Sequence, residues 1–78
     1  MISIYNIDTA ATSERIKRLM KEKNINAREM ARHTGVSISA VYKWINGSSL
    51  PGYELAEDLV ELFGLCRIED LVVMNKIK

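Results

Sequence analysis

The segment from Ala27 to Asn46 limits the fold of this 78-residue chain more than any other feature. It contains two short amphipathic helical patterns that are separated by only three residues, Gly35 to Ser37. Two helices joined so closely cross at a steep angle, roughly 90–120°, and need small residues where they touch. Ala31 is small and lies four residues before Gly35, whose missing side chain permits a tight helix exit. The segment therefore predicts a helix-turn-helix unit over about residues 27–46.

Apolar residues at helical spacing predict further helices on both sides of this unit. A first helix ends at Lys23 and begins near Thr12 or, alternatively, at Thr9. A fourth helix is expected over about residues 53–63, and a short fifth helix over about residues 68–72. With 78 residues in total, the chain is expected to form one all-α domain of five helices.

Capping and burial patterns define the central unit more closely. Asn26 and Glu29 form an Asn-x-x-Glu capping box at the start of the second helix. Ser37 is expected to cap the third helix, because its hydroxyl can accept a hydrogen bond from a first-turn amide. Val41 and Trp44 fall on the stripe of the third helix that faces the core. The residues between them therefore lie on its outer side.

Both ends of the chain differ from the helical middle. Residues 2–7 and 72–77 are rich in side chains that favour strands. We expect the two segments to lie side by side, within one chain or across a dimer, on the side opposite the third helix. The alternative is a pair of frayed tails, which is common at chain termini. In the paired arrangement the dimer surface would come from leftover apolar residues, namely Ile2, Ile4, Tyr5, Ile7, Leu71, Val72, Val73, Met74 and Ile77.

Composition argues against several classes of protein. The longest apolar run is residues 71–74, far shorter than the run of about 20 that spans a membrane. With His33 and Cys66 as its only histidine and cysteine, the chain shows no zinc-ligand set and no catalytic constellation. We therefore predict no enzyme activity, no catalytic residues, no metal site and no cofactor. Cys66 is expected to be a small buried residue, and a lone cysteine fits a reducing cytoplasm.

The net charge of +1 hides an uneven distribution. Residues 1–47 hold eight Lys or Arg and four Asp or Glu, a charge of +4. Residues 48–78 hold three and six, a charge of −3. A basic half is typical of a nucleic-acid-binding face, although solvated helix surfaces produce the same asymmetry.

A group of residues between about positions 12 and 72 matches the pattern of a known family. They are Arg15-Ile16-Lys17, Met30-Ala31, Gly35-Val36-Ser37, Val41 to Gly47, Leu50-Pro51, Leu59, Phe63-Gly64 and Glu69-Asp70-Leu71. In these residues the chain resembles the phage-repressor-like, Cro/C1-like helix-turn-helix family, also called the xenobiotic-response-element type. The resemblance implies a five-helix, lambda-repressor-like DNA-binding domain. It also implies a bacterial or phage transcription regulator that works in the cytoplasm.

The resemblance makes the third helix the recognition helix, which enters the major groove with its N-terminal residues toward the base edges. Ser39 can bond several bases there, Lys43 can reach guanine acceptors or a phosphate, and Ile38 can pack on a thymine methyl group. Tyr42 either contacts DNA or is an ordinary exposed aromatic residue. Phosphate contacts are expected from the residues around the helix ends. The full set of candidate DNA-binding residues is Arg28, Ser37, Ile38, Ser39, Tyr42, Lys43, Asn46 and Ser48.

Three places depart from the family pattern, one of which is the link before the fifth helix, longer by one residue at Cys66-Arg67. Relatives often carry a glutamine at the position of Ala27, where its amide contacts a phosphate, and here Arg28 is the candidate to replace it. The early recognition-helix positions, which often hold Gln, Arg or Asn, hold Ile38 and Ser39. We predict a sequence-specific regulator of transcription that binds double-stranded DNA, namely a homodimeric repressor. The alternative is an antitoxin or adaptor whose main role is to bind a partner protein.

Overall fold

The computed structural model describes residues 5–76, which form a helical body with a small pair of strands. The elements in chain order are β1 Tyr5–Ile7, α1 Thr9–Lys23, α2 Ala27–Thr34, α3 Ile38–Asn46, α4 Tyr53–Phe63, a 3-10 turn Ile68–Asp70 and β2 Met74–Lys76. The all-α class is confirmed. The described residues contain four α-helices rather than five, because the segment after α4 makes only the 3-10 turn.

The ends of α2 and α3 form through local hydrogen bonds, as the sequence predicts. Asn26 Oδ1 accepts from the Glu29 amide at 2.8 Å, and Glu29 Oε1 accepts from the Asn26 amide at 3.1 Å. This pair is a complete capping box. Ser37 Oγ accepts from the Ala40 amide at 3.1 Å and caps α3. Gly35 ends α2 in the left-handed conformation at φ 78°, which glycine adopts without steric cost.

Helix α1 begins at Thr9, which is earlier than the start near Thr12 that the sequence favours. Asp8 is the cap, and its carboxylate accepts from the Ala11 amide at 2.9 Å. Of the two residues that could cap a helix starting near Thr12, Ser13 is buried and Thr12 lies fully buried inside the helix. Its hydroxyl accepts from the Val73 amide at 3.0 Å, so a residue 61 positions away fixes its environment. The alternative start at Thr9 is therefore the observed one.

The two strands pair antiparallel within one chain, with Ile7 opposite Met74. This confirms the intramolecular form of the expected pairing for Tyr5–Ile7 and Met74–Lys76. Ile2, Ile4 and Ile77 lie outside the described residues. Ile7 and Met74 line a groove together with Pro51 and Gly52, in the loop that follows α3, and with the start of α4.

The core lies between the helices and is built from large apolar side chains. Ile16 of α1, Met30 of α2, Val41 of α3 and Leu59 of α4 are each fully buried. Trp44 is also buried, as its helical spacing predicted. These contacts fix the orientation of α3, so that one side is held in the core and the other faces solvent.

Two expectations about the C-terminal third are wrong. Over the range expected for the fifth helix the chain makes only the 3-10 turn Ile68–Asp70, and the next residues bond elsewhere: the Val73 amide donates to Thr12 Oγ1 and the Val73 carbonyl accepts from the Asp8 amide at 2.8 Å. The chain must be extended there and cannot continue a helix. Cys66 is exposed rather than buried, since it lies in the surface loop between α4 and the 3-10 turn.

Candidate nucleic-acid interface

The outer side of α3 carries the predicted recognition residues in an exposed row. Ser39, Tyr42, Lys43 and Asn46 are all exposed, and Ile38 at the start of the helix is 39% exposed. Their spacing of three or four residues places them on one helical face. The row combines a hydroxyl, a phenol, an ammonium group and an amide, which are groups that can bond base edges and phosphates.

The N-terminal end of α3 is held by Ser37. Its Oγ accepts the Ala40 amide, and its carbonyl accepts the amides of Ala40 and Val41 at 3.1 and 3.3 Å. The first amides of a helix have no partner inside the helix and attract anions. Ser37 can still donate its hydroxyl proton, so this end of α3 can meet a phosphate as well as a base.

The C-terminal end of α3 is a rigid turn that joins two predicted residues. Asn46 Oδ1 accepts from the Ser48 amide at 2.9 Å and from the Ser48 hydroxyl at 2.6 Å. Gly47, at φ 83°, donates its amide to the Lys43 carbonyl, which also accepts from Ser48 at 3.0 Å. Because Asn46 Oδ1 already accepts two hydrogen bonds, the side-chain NH2 group of Asn46 is the group left to donate to a further partner.

Arg28 stands apart from the rest of the set. It is exposed in the first turn of α2, and no hydrogen bond or ion pair joins it to the candidates on α3 in residues 5–76. The neighbouring Ala27 is buried and offers no polar side chain. Arg28 is a solvent-exposed cation in the first turn of α2, the position from which the sequence predicts a phosphate contact. Its contact with DNA remains a prediction.

Lys17 of α1 was not predicted as part of this surface. It lines a groove with Asn46 and Gly47 at the end of α3, and its ammonium group lies 2.9 Å from the Glu14 carboxylate. In the sequence it is only one of several basic residues on α1. Its place beside Asn46 follows from the packing of α1 against α3, which no local pattern reports.

Ser13 lies in the wall of the same groove and is 4% exposed. Its hydroxyl has no hydrogen-bond partner among the residues that the structure describes, and a Cβ on Gly47 would lie 3.5 Å from it. A buried unpaired hydroxyl costs roughly 1–3 kcal/mol of stability. The junction between α1 and the end of α3 is therefore a weak point of the packing.

Other kinds of site find little support in residues 5–76. Nowhere in this range do three His, Cys, Asp or Glu side chains come together as metal ligands. Over the same residues, every helix is too short or too polar to cross a lipid bilayer. His33 contacts Glu61 of α4 at 3.5 Å and so joins two helices rather than lining the exposed row.

Two short helices joined by a tight turn, with the second held by its core stripe and exposing a polar face, define a helix-turn-helix protein. The model of the helix-turn-helix family HTH_3 matches residues 16–71. The chain therefore belongs to this family, the Cro/C1-type helix-turn-helix proteins, whose members are DNA-binding regulators of transcription. No curated protein and no solved structure matches the chain.

Proposed function

We propose that this protein is a sequence-specific repressor of transcription, whose DNA-binding domain comprises residues 1–78 and whose recognition helix is α3. The observation that supports it best is the exposed face of α3. Its polar side chains project from a helix that Val41 and Trp44 hold in the core. A recognition helix must be rigid, because base edges are read by hydrogen bonds of fixed geometry.

The candidate residues divide into two groups under this proposal. Ser39 and Lys43 bond base edges, and Ile38 packs on a thymine methyl group. The groups around the ends of α3 hold phosphates and fix the register of the helix on the duplex. The phosphate-binding group comprises Arg28, Ser37, Asn46, Ser48 and, added by the structure, Lys17. Tyr42, 55% exposed between them, packs against the sugar–phosphate backbone.

Repression follows from occupancy of the operator. A domain seated in the major groove excludes other proteins from the same DNA. One recognition helix reads only a few base pairs, so two copies on half-sites one helical turn apart, about 34 Å, give a longer and more specific site. We therefore include homodimer formation in the proposal.

Selection of binding sites from random duplexes, followed by fluorescence anisotropy, tests this function. We expect one sequence to be enriched and to bind at least about 10³-fold more tightly than a shuffled duplex. Affinity should fall linearly on logarithmic axes between 50 and 200 mM salt, because bound cations displace counterions from phosphates. Absence of enrichment together with salt-independent affinity would contradict the proposal. Binding to no duplex at all would favour the adaptor or antitoxin role.

A further inference from the structure

The groove between the start of α1 and the end of α3 contains a polar group that the fold leaves unsatisfied. Ser13 on its wall is buried, and within residues 5–76 its hydroxyl has no hydrogen-bond partner. Buried polar side chains in native proteins nearly always have a partner, so an unpaired one requires an explanation, and a ligand is one. The groove has a volume of about 390 Å³, enough for a small ion or for part of a larger molecule. We call the groove formed by Ser13, Lys17, Asn46 and Gly47 the junction groove.

Hydrogen-bond donors reach the junction groove from both helices. Thr9, Ser13 and Lys17 follow one another at a spacing of four residues, which places them on one face of α1. They bring two hydroxyls and an ammonium group to the groove. On the other side, the Asn46 NH2 group is left to donate, because Asn46 Oδ1 already accepts two hydrogen bonds. A set of this kind suits a ligand that carries several acceptors.

The electrostatics of the junction groove favour an anion. Thr9 and Ala10 are the first two residues of α1, and both line the groove. The positive end of the dipole of this 15-residue helix therefore lies there. Lys17 adds a full positive charge, and its ammonium group already lies 2.9 Å from the Glu14 carboxylate. An oxyanion thus occupies this cation even within the chain.

Glu14 is the group that an anionic ligand has to displace. Among the described residues that line the groove, it is the only acid. Its side chain is 73% exposed, and an exposed ion pair contributes little free energy. Glu14 can therefore turn into solvent at a small cost and leave Lys17 to another oxyanion.

We infer that the junction groove is a binding site for a phosphate group. Ser13, Lys17 and Asn46 donate hydrogen bonds to it, and the Glu14 carboxylate leaves Lys17 when it binds. A phosphate group carries several strong acceptor oxygens and can accept from α1 and α3 at once, whereas Glu14 belongs to α1 alone. The phosphate comes either from the duplex backbone or from a free phosphorylated molecule. In the first case the inference rests on the function proposed above; in the second the groove is an effector site beside the residues that hold DNA.

Titration of the isotopically labelled full chain with inorganic phosphate, at constant ionic strength and followed by NMR, tests the site without DNA. We expect the amide resonances of Thr9, Ala10 and Gly47 to shift together. Ser13→Ala should weaken this binding about tenfold, the usual effect of losing one hydrogen bond to a charged group, although it should stabilise the fold. Ser49→Ala, at an exposed serine in the loop after α3, is the matched control and should change neither property.

Anisotropy titration of the same variants on the selected duplex distinguishes the two sources of phosphate. If a backbone phosphate occupies the groove, Ser13→Ala should also weaken duplex binding about tenfold. If a free phosphorylated molecule occupies it, the loss should be confined to the titration with inorganic phosphate. Ser13→Ala that matches the wild type in both titrations overturns the inference. If no duplex is bound, the proposed function fails, while the NMR titration still decides whether the groove binds phosphate.

Glu14→Gln tests the displacement of the carboxylate. It should strengthen phosphate binding about threefold, a small effect because an exposed ion pair contributes little, and only while Lys17 is present. In a Lys17→Ala background the same substitution should have no effect. Glu22→Gln, which removes the carboxylate that pairs with Arg18 at 3.8 Å, is the matched control and should leave phosphate binding unchanged. Equal gains with and without Lys17 would rule out the displacement.

Discussion

Two surfaces of this protein expose aromatic and aliphatic side chains, and their surroundings differ. On α3, Tyr42 lies among Ser39, Lys43 and Asn46. At the start of α4, Tyr53 borders a groove that is lined mainly by apolar side chains, among them Ile7 and Met74 of the strand pair. The first arrangement suits a wet and charged partner such as DNA, whereas the second suits a partner that excludes water. An exposed tyrosine therefore indicates a contact, and its neighbours indicate the class of partner.

Trp44→Ala should produce the largest effect, because it removes the side chain that holds α3 to the core. We expect a loss of roughly 3–5 kcal/mol in the free energy of unfolding, as for other buried large-to-small substitutions. Denaturant titration followed by circular dichroism measures it. Tyr42→Ala, on the exposed side of the same helix, is the control and should change stability by less than about 0.5 kcal/mol. Equal losses in the two variants would mean that Tyr42 also packs in the core, so that α3 is rotated about its axis.

Lys43→Ala separates the two surfaces by function. We expect it to weaken binding to the selected duplex by about 1–3 kcal/mol, the usual value of a good base contact. Anisotropy titration measures the affinity, and the melting temperature should not change because Lys43 is exposed. Lys23→Ala, which removes the same charge at the far end of α1, serves as control and should bind almost normally. Should Lys43→Ala lower stability but not affinity, the DNA-facing side of α3 has been misassigned.

Ser13→Ala examines the junction between α1 and the DNA-facing surface. The substitution removes a buried hydroxyl that has no partner, so we expect an increase of about 1 kcal/mol in the free energy of unfolding. Thermal and denaturant melts measure this gain. Ser39→Ala, at an exposed serine of α3, should leave stability within about 0.5 kcal/mol. A clear loss of stability in Ser13→Ala would show that the hydroxyl has a partner after all.

Acid should weaken the start of α1, which Asp8 caps. The pKa of Asp8 lies below its ordinary value, mainly because its carboxylate accepts a hydrogen bond from the Ala11 amide and, to a smaller extent, from the Asn75 side chain. Burial has a smaller effect that raises the pKa. A lowered folded-state pKa stabilises the fold above the unfolded pKa of about 3.9, and this stability is lost as the pH falls through the folded pKa. We expect Asp8→Asn to flatten that part of the dependence of melting temperature on pH. If Asp8→Asn left the melting temperature at low pH unchanged, the stabilising role of the Asp8 carboxylate would be contradicted. The expected effect is small because Asp8 is solvent-accessible.

Much of the helix-turn-helix unit was predictable because its signals are local. Ser37 bonds an amide three residues away, and so does Asn26, so each cap can be read from a few letters. Trp44 falls three residues after Val41, and this spacing alone indicates a buried stripe. The candidate residues on the outer side of α3 follow from the same spacing.

Errors arose where a residue's environment is set by a distant part of the chain. Thr12 reads as a helix cap, yet it lies inside α1 and its hydroxyl bonds Val73, 61 positions away. Cys66 reads as a buried residue, yet the loop carries it to the surface. Lys17 reads as one of several basic residues, and only the packing of α1 against α3 places it beside Asn46.

By itself the sequence determined the helices of the helix-turn-helix unit, the caps of α2 and α3 and the face of α3 that points outward, because hydrogen bonds and side-chain spacing over three or four residues control these features. Tertiary structure alone decided where the strand pair lies and that Ile7, Tyr53 and Met74 share one groove. Contacts of this kind join residues 21 to 67 positions apart. Their geometry depends on how the helices pack into a common core, and periodicity along the chain carries no information about that packing.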